Sequence, residues 1–183
     1  NGADRMLKAA NVQLISYENV GSTLVTIMVK GDVAAVTAAV EAGAVGAAEI
    51  GKLTAKNVMP RPIRGVADIV SVYAVDGDTE DKDAQRPRAM GLIETFGIVY
   101  LLEAADAMQK TADVDVVGFE NVASGYVSVL VQGDVAACTS AVAAGVKAVE
   151  KMGAAVYSSV VIPTPHPDLL KITKRYSFEN LLP

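Results

Sequence analysis

Apolar and polar positions along the chain fall into short blocks, and the whole succession of blocks occurs twice. Residues 24–29 (LVTIMV) and 126–131 (YVSVLV) are rich in β-branched side chains and alternate in part, which predicts strands. Each is preceded by another such run, at 12–17 and 114–119, across a loop of small residues. Each is followed by Gly-Asp, at Gly31-Asp32 and Gly133-Asp134. Glycine permits the turn there, and aspartate is placed to cap the first free amides of a helix. Ala-rich helices are predicted at 33–50 and 135–152, with Gly51 and Gly153 as C-terminal caps. A further strand follows each helix, at 53–59 and 155–162, and halts at Pro60-Arg61-Pro62 or Pro163-Thr164-Pro165. Short last helices are predicted at 66–70 and 167–172.

Ahead of these blocks, good helix formers fill 3–10 (ADRMLKAA) and the matching stretch 105–112 (ADAMQKTA). The second copy has a strand before that helix, at 89–94, which turns through Thr95-Phe96-Gly97; the first copy has none. The chain is therefore expected to be a fragment, or a copy that borrows the strand from elsewhere. The clearest mark of the repeat is YENVGSTLVTIMVKGDVAAVTAAVEAG from Tyr17, matched about 100 residues later by FENVASGYVSVLVQGDVAACTSAVAAG from Phe119. A repeat this long marks a duplicated domain, since solenoid periods run to roughly 20–50 residues.

The expected fold is α+β, with two tandem ferredoxin-like-related domains. Each has a four-stranded, mainly antiparallel sheet with helices, the first lacking its opening strand. The domains are placed at 1–75 and 89–173. The acidic, aperiodic run 76–88 joins them, and 174–183 forms a tail without counterpart.

Composition narrows the classes of function. Half of the 183 residues are apolar, aromatics are 5% and Trp is absent, which suits thin, close-packed layers over a deep aromatic pocket. A net charge of -5 gives no basic footprint for nucleic acid. No apolar run reaches the roughly 18 residues that span a bilayer, and the N-terminal stretch lacks the apolar core of a signal peptide. One Cys cannot form an intrachain disulfide and suits a reducing cytoplasm.

Candidates for chemistry are few. His166 is the one histidine, in Pro-His-Pro after a strand end, with no partner for general-base work, and a surface or interface position suits it better. Cys138 sits mid-helix where the other copy has Val36, as a small buried residue would. No spacing of His, Cys, Asp and Glu resembles a metal motif, so no cofactor is expected. The run 43–51 is glycine-rich like a nucleotide loop but lies at a helix end, so close helix–sheet packing explains it better. Glu94 and Glu103 flank a helix start and are not read as an acid–base pair. The small loops Asn19-Val20-Gly21-Ser22-Thr23 and Asn121-Val122-Ala123-Ser124-Gly125 are plain hairpin turns on one reading. On the other, several subunits bring their backbones together there around an axis, offering neutral donors to a passing solute.

From RAMGLIETFGIVYLLEAADAM through DVDVVGFENVASGYVSVLVQGDVAACTSAVAAG to VVIPTPHPDL, the second copy resembles the bacterial microcompartment shell protein domain. The first copy, from ADRMLKAANVQLISYENV to NVMPRPI, resembles it without the opening strand. The resemblance implies a tandem-domain shell protein, not an enzyme, forming homotrimers that mimic the six-fold tiles of single-domain relatives. Such tiles meet edge to edge with other shell proteins around enzymes in the bacterial cytoplasm, and small metabolites cross their central pores. By the same resemblance the pore is lined by Val20, Gly21, Ser22, Thr23, Val122, Ala123, Ser124 and Gly125. Lys8, Lys110 and Arg61 fall on the tile edge, with Thr164 where Arg is usual and His166 two residues on. Neither loop has a Cys to hold an iron–sulfur cluster, and both are short, which implies a narrow open pore in a single-layer trimer. The alternative is a small-molecule-binding regulatory module, since duplicated ferredoxin-like units also serve as effector sensors.

Overall fold

The computed structural model describes residues 1–21, 24–62 and 88–173. The helix expected at 66–70, the linker 76–88 apart from Arg88, and the tail 174–183 lie outside the described residues. The elements in chain order are α1 (Gly2–Ala9), β1 (Gln13–Gly21), β2 (Leu24–Lys30), α2 (Val33–Ala48), β3 (Ala89–Phe96), α3 (Ile98–Thr111), β4 (Val114–Ala123), β5 (Tyr126–Gly133), α4 (Val135–Lys151), β6 (Val156–Ile162) and α5 (Leu169–Thr173). They fall in two compact units. Unit 1 holds residues 1–20, 24–62 and His166–Ile172; unit 2 holds 88–165, with Gly21 and Thr173.

In unit 2 the sheet order is β4-β5-β3-β6, and the three pairings are antiparallel. β3 is central, with Ile93 opposite Val129 on one side and Ser159 on the other. Its alternate residues Ala89, Ile93 and Thr95 are buried, and Ile93, Leu101, Ala104, Met108, Val131, Cys138, Val142 and Val149 form one core beneath α3 and α4. Full burial of an aliphatic side chain stabilises by about 1.5–3 kcal/mol, so this cluster contributes substantially to the unit's cohesion. Gly145 lets α4 approach: a Cβ there would lie 2.5 Å from Ile93 Cδ1 and 2.9 Å from Met108 Cγ.

Unit 1 repeats the hairpin and the helix pair but not the whole sheet. Its described ladder is the two-stranded β1-β2. The strand expected at 53–59 is not formed; these residues carry no ladder and are exposed apart from half-buried Val58. The physical reason is a missing partner. β6, the counterpart of 53–59, owes its strand geometry to pairing with β3, and no described strand of unit 1 plays that part.

Two local expectations also change. The glycines of 43–51 serve helix–helix rather than helix–sheet packing: Cβ atoms at Gly43 and Gly46 would run into Met6 Cγ at 2.4 Å and Arg5 Cδ at 2.5 Å, both on α1. Asp32 and Asp134 stand at the N-cap positions of α2 and α4, yet neither side chain makes a capping hydrogen bond. Their carbonyls accept the first helical bonds instead, from Val36 and Cys138, each at 2.8 Å. Gly153 is a true left-handed cap at φ +77°, whereas Gly51 is not left-handed.

Candidate functional site: hairpin tips and helix lysines

The unit 2 hairpin turns on two residues, and both have positive φ, Ser124 at 56° and Gly125 at 87°. That is the twist a two-residue turn needs to match right-handed strands, and only glycine adopts it freely. Gly97 N–H donates to the Gly125 carbonyl at 2.7 Å, which ties the tip to the turn between β3 and α3. Ser124 and Gly125 are exposed. Val122, expected beside them, is not: the register slips between Asn121 and Ala123, and the extra residue Val122 is buried. Ser22 and Thr23 lie outside the described residues, as do the side chains of Val20, Gly21 and Ala123.

Behind the tip is an aromatic group that sequence reasoning missed. The Phe96 ring meets the edge of Tyr126 at 5.2 Å between centroids, and Tyr126 meets Tyr157 at 4.6 Å. Phe96 and Tyr157 remain 61% and 58% exposed, and the Phe96 ring covers Gly125 so closely that a Cβ there would lie 2.8 Å from its Cε2. One row further along the same sheet face, Glu94 and Glu120 both pair with Ser128. Burial, and then the Glu120 charge, raise the Glu94 carboxyl above the ordinary carboxylate range. Its charged neighbour is thus Glu120 and not Glu103, which is exposed on α3. The Cys138 thiol is also raised by burial, and its Sγ donates to the Ala89 carbonyl at 3.3 Å. This is a packing role.

The two helix lysines sit in the same local motif and in different surroundings. Lys110 bonds Asp106 one turn earlier at 2.6 Å, with both side chains exposed. Lys8 bonds Asp4 at 2.7 Å, but Asp4 is buried, and its other oxygen accepts the His166 backbone N–H at 2.9 Å. Lys8 and His166, expected on the edges of different domains, therefore share one carboxylate in unit 1. His166 Nδ1 accepts the Asp168 N–H at 3.2 Å. Arg61 and Thr164 are exposed.

A hollow lies beside each lysine. The one at Lys8, about 410 Å³, is lined by Arg5, Ala9, Ala42 and Val45. The one at Lys110, about 400 Å³, is lined by Glu103, Asp106, Lys147 and Lys151 among others. Among the described residues no three His, Cys, Asp or Glu side chains are grouped as metal ligands, and no helix is long and apolar enough to cross a membrane.

Comparison with known proteins agrees with the repeat. The family model of the BMC domain matches residues 1–62 and 89–165. Carboxysome assembly protein CcmO of Synechococcus elongatus is 37% identical over 170 residues, which cover 92% of this chain and 61% of that protein. The chain thus spans about three-fifths of the length of this curated relative. Bacterial microcompartment shell protein EutM of Salmonella typhimurium is 48% identical over 84 residues, 46% of this chain and 86% of its own. Among solved structures, a microcompartment protein from Desulfitobacterium hafniense is 35% identical and aligns over 93% of this chain and 89% of that one, with a TM-score of 0.44. A superposition at that score carries no argument, so the assignment rests on sequence. The family model fits both copies of the repeat, and a relative of single-repeat length matches about half of the chain. The chain belongs to the BMC-domain family of bacterial microcompartment shell proteins and carries the domain twice in tandem.

Proposed function

We propose that this chain is a structural tile of a microcompartment shell in the bacterial cytoplasm. Three copies close into a ring of six domains, meet other shell proteins edge to edge, and leave a central pore for small metabolites. The observation that carries this reading is the repeated Asp–Lys pair, Asp4–Lys8 and Asp106–Lys110, at the same place on the first helix of each domain. A ring built by three-fold symmetry from two-domain chains then repeats that pair on six near-equivalent edges. Gly21, Ser22, Thr23, Ser124 and Gly125 are the pore groups in this reading, small and neutral, so selection is by size and hydrogen bonding more than by charge. No bond of a substrate is made or broken. The names of the relatives, an assembly protein and a shell protein, support this role. An effector-sensing module has no reason to repeat these lysines.

The test is the mass and the assembly of the purified chain. Light scattering is expected to give three 19.0 kDa chains per particle, and electron microscopy extended sheets. Lys8→Ala with Lys110→Ala is expected to keep the trimer and abolish the sheets. A strictly monomeric chain would sink the tile reading; unchanged sheets in the double variant would sink the edge assignment.

A further inference from the structure

The aromatic group behind the second hairpin lies on the face of the unit 2 sheet that points away from α3 and α4. Glu94 and Phe96 are two residues apart on β3 and so share that face, while the alternate residues Ile93 and Thr95 are fully buried. Tyr126, opposite Phe96 on β5, touches both Phe96 and Tyr157 of β6. One row along, about 6.5–7 Å away, Glu94 and Glu120 stand on either side of Ser128. Among the described residues no ion pair includes Glu94.

A single exposed apolar residue is ordinary, but three touching rings, two of them more than half exposed, form a surface that meets another molecule. Rings this open make a platform and not an enclosed pocket, which suits a side chain presented by a protein better than a small ligand. The carboxylates beside the platform set the charge of that side chain. Burial and the Glu120 charge both oppose the ionised form of Glu94, and a cation placed between rings and carboxylate offsets both. A guanidinium does this best, because its plane stacks on a ring while its N–H fork donates to a carboxylate one row away; an ammonium has no plane to stack. We infer that this sheet face docks a partner protein through an arginine seated on Phe96, beside Tyr126 and Tyr157, and bonded to Glu94. The inference rests on unit 2 alone and is independent of ring or sheet assembly.

The test titrates the full chain with an end-blocked tripeptide of leucine, arginine and leucine, followed by NMR through the ring signals of Phe96 and Tyr157. Saturable shifts of both rings are expected. The same peptide with citrulline, which keeps the shape of arginine and loses its charge, is expected to bind at least about tenfold more weakly. Glu94→Gln and Phe96→Leu should each weaken the arginine peptide at least about fivefold. Glu150→Gln, the same charge change at an exposed position of α4, should leave binding unchanged. A thermal midpoint of Glu94→Gln no lower than that of the parent separates lost binding from lost folding. Unshifted rings at the solubility limit of the peptide would overturn the proposal, as would equal binding of the citrulline peptide. Equal losses in Glu94→Gln and Glu150→Gln would overturn it too, since net charge would then be the cause. So would ring shifts that appear on concentrating the chain without peptide, because a second copy would then hold this face.

Discussion

Asp4 offers a sharp test of how the same dipeptide spacing acquires different weight in the two domains. The residue is 5% exposed, and its carboxylate accepts two hydrogen bonds, from Lys8 Nζ at 2.7 Å and from the His166 amide at 2.9 Å. A hydrogen bond to a charged group contributes about 1.5–3 kcal/mol net. The Lys8 side chain keeps 44% exposure, so solvent screening reduces that half of the interaction to about 0.2–1 kcal/mol. Asp4→Ala is therefore expected to destabilise unit 1 by about 2–3 kcal/mol, with most of the loss at the amide of His166. Asp106→Ala removes a pair exposed on both sides, an i,i+4 contact of about 0.3–0.5 kcal/mol. The assay is amide hydrogen exchange over residues 166–172 in the intact chain, because two units need not unfold as one transition. Asp4→Ala should speed exchange at His166 and through α5, while Asp106→Ala leaves both unchanged. Asp4→Asn keeps a neutral acceptor and should fall between. Equal effects of the two alanine variants would refute the reasoning, as would a His166 amide that exchanges freely in the parent chain.

Two further predictions bear on stability. Gly153→Ala forces a side chain into φ +77° with open space around it, so the cost is purely conformational, about 1 kcal/mol; Gly51→Ala, without that backbone demand, should stay within about 0.5 kcal/mol by denaturant unfolding. Glu94→Gln should raise the thermal midpoint at pH 7. The folded-state carboxyl is raised, so the folded chain holds its proton over a range in which the unfolded chain has released it, and stability falls as pH rises through that range. Glutamine removes the fall, and its advantage should shrink near pH 4, where the unfolded glutamate also takes up a proton. A lower midpoint for Glu94→Gln at pH 7 would contradict the burial argument.

Elements whose cause is local were legible in the chain. β2, β5, α2 and α4 start where β-branched runs and Gly-Asp place them, and their ends differ from expectation by two residues at most. The segment 53–59 (LTAKNVM) was read as strand from its place in the repeat, although Ala, Lys and Asn are poor strand formers, and it lacks the pairing with a β3 that β6 has. Strand is here a property of the pair. Side-chain geometry was less legible than element type. Asp32 and Asp134 occupy N-cap positions without bonding there, and the shift between Asn121 and Ala123 turns Val122 inward, against its expected place on the lining. The aromatic group joins residues 96, 126 and 157 from three strands. The Asp4–His166 bond spans 162 residues. No window of sequence contains either one.

Duplication matters because it frees the copies to diverge at positions that identical chains would have to share. At the hollow beside Lys8, Lys8 is matched by Asp4 and Arg5 by Glu49, and Val45 supplies an exposed apolar wall. At the equivalent hollow, Ala107, Lys147 and Lys151 replace Arg5, Val45 and Glu49, so three lysines gather with Glu103 and Asp106. The first surface is charge-balanced; the second carries an excess positive charge. If the lysines mark tile edges, two second-domain edges meeting face to face would bring like charges together, at a cost that grows as salt is lowered. A first-domain edge opposite a second-domain edge avoids that cost and sets the Val45 wall against the lysine stems, which pack well on apolar surface. In the proposed ring of six domains, alternation would then give each edge an unlike partner in the neighbouring tile. A ring of six identical chains presents one kind of edge and has no such choice.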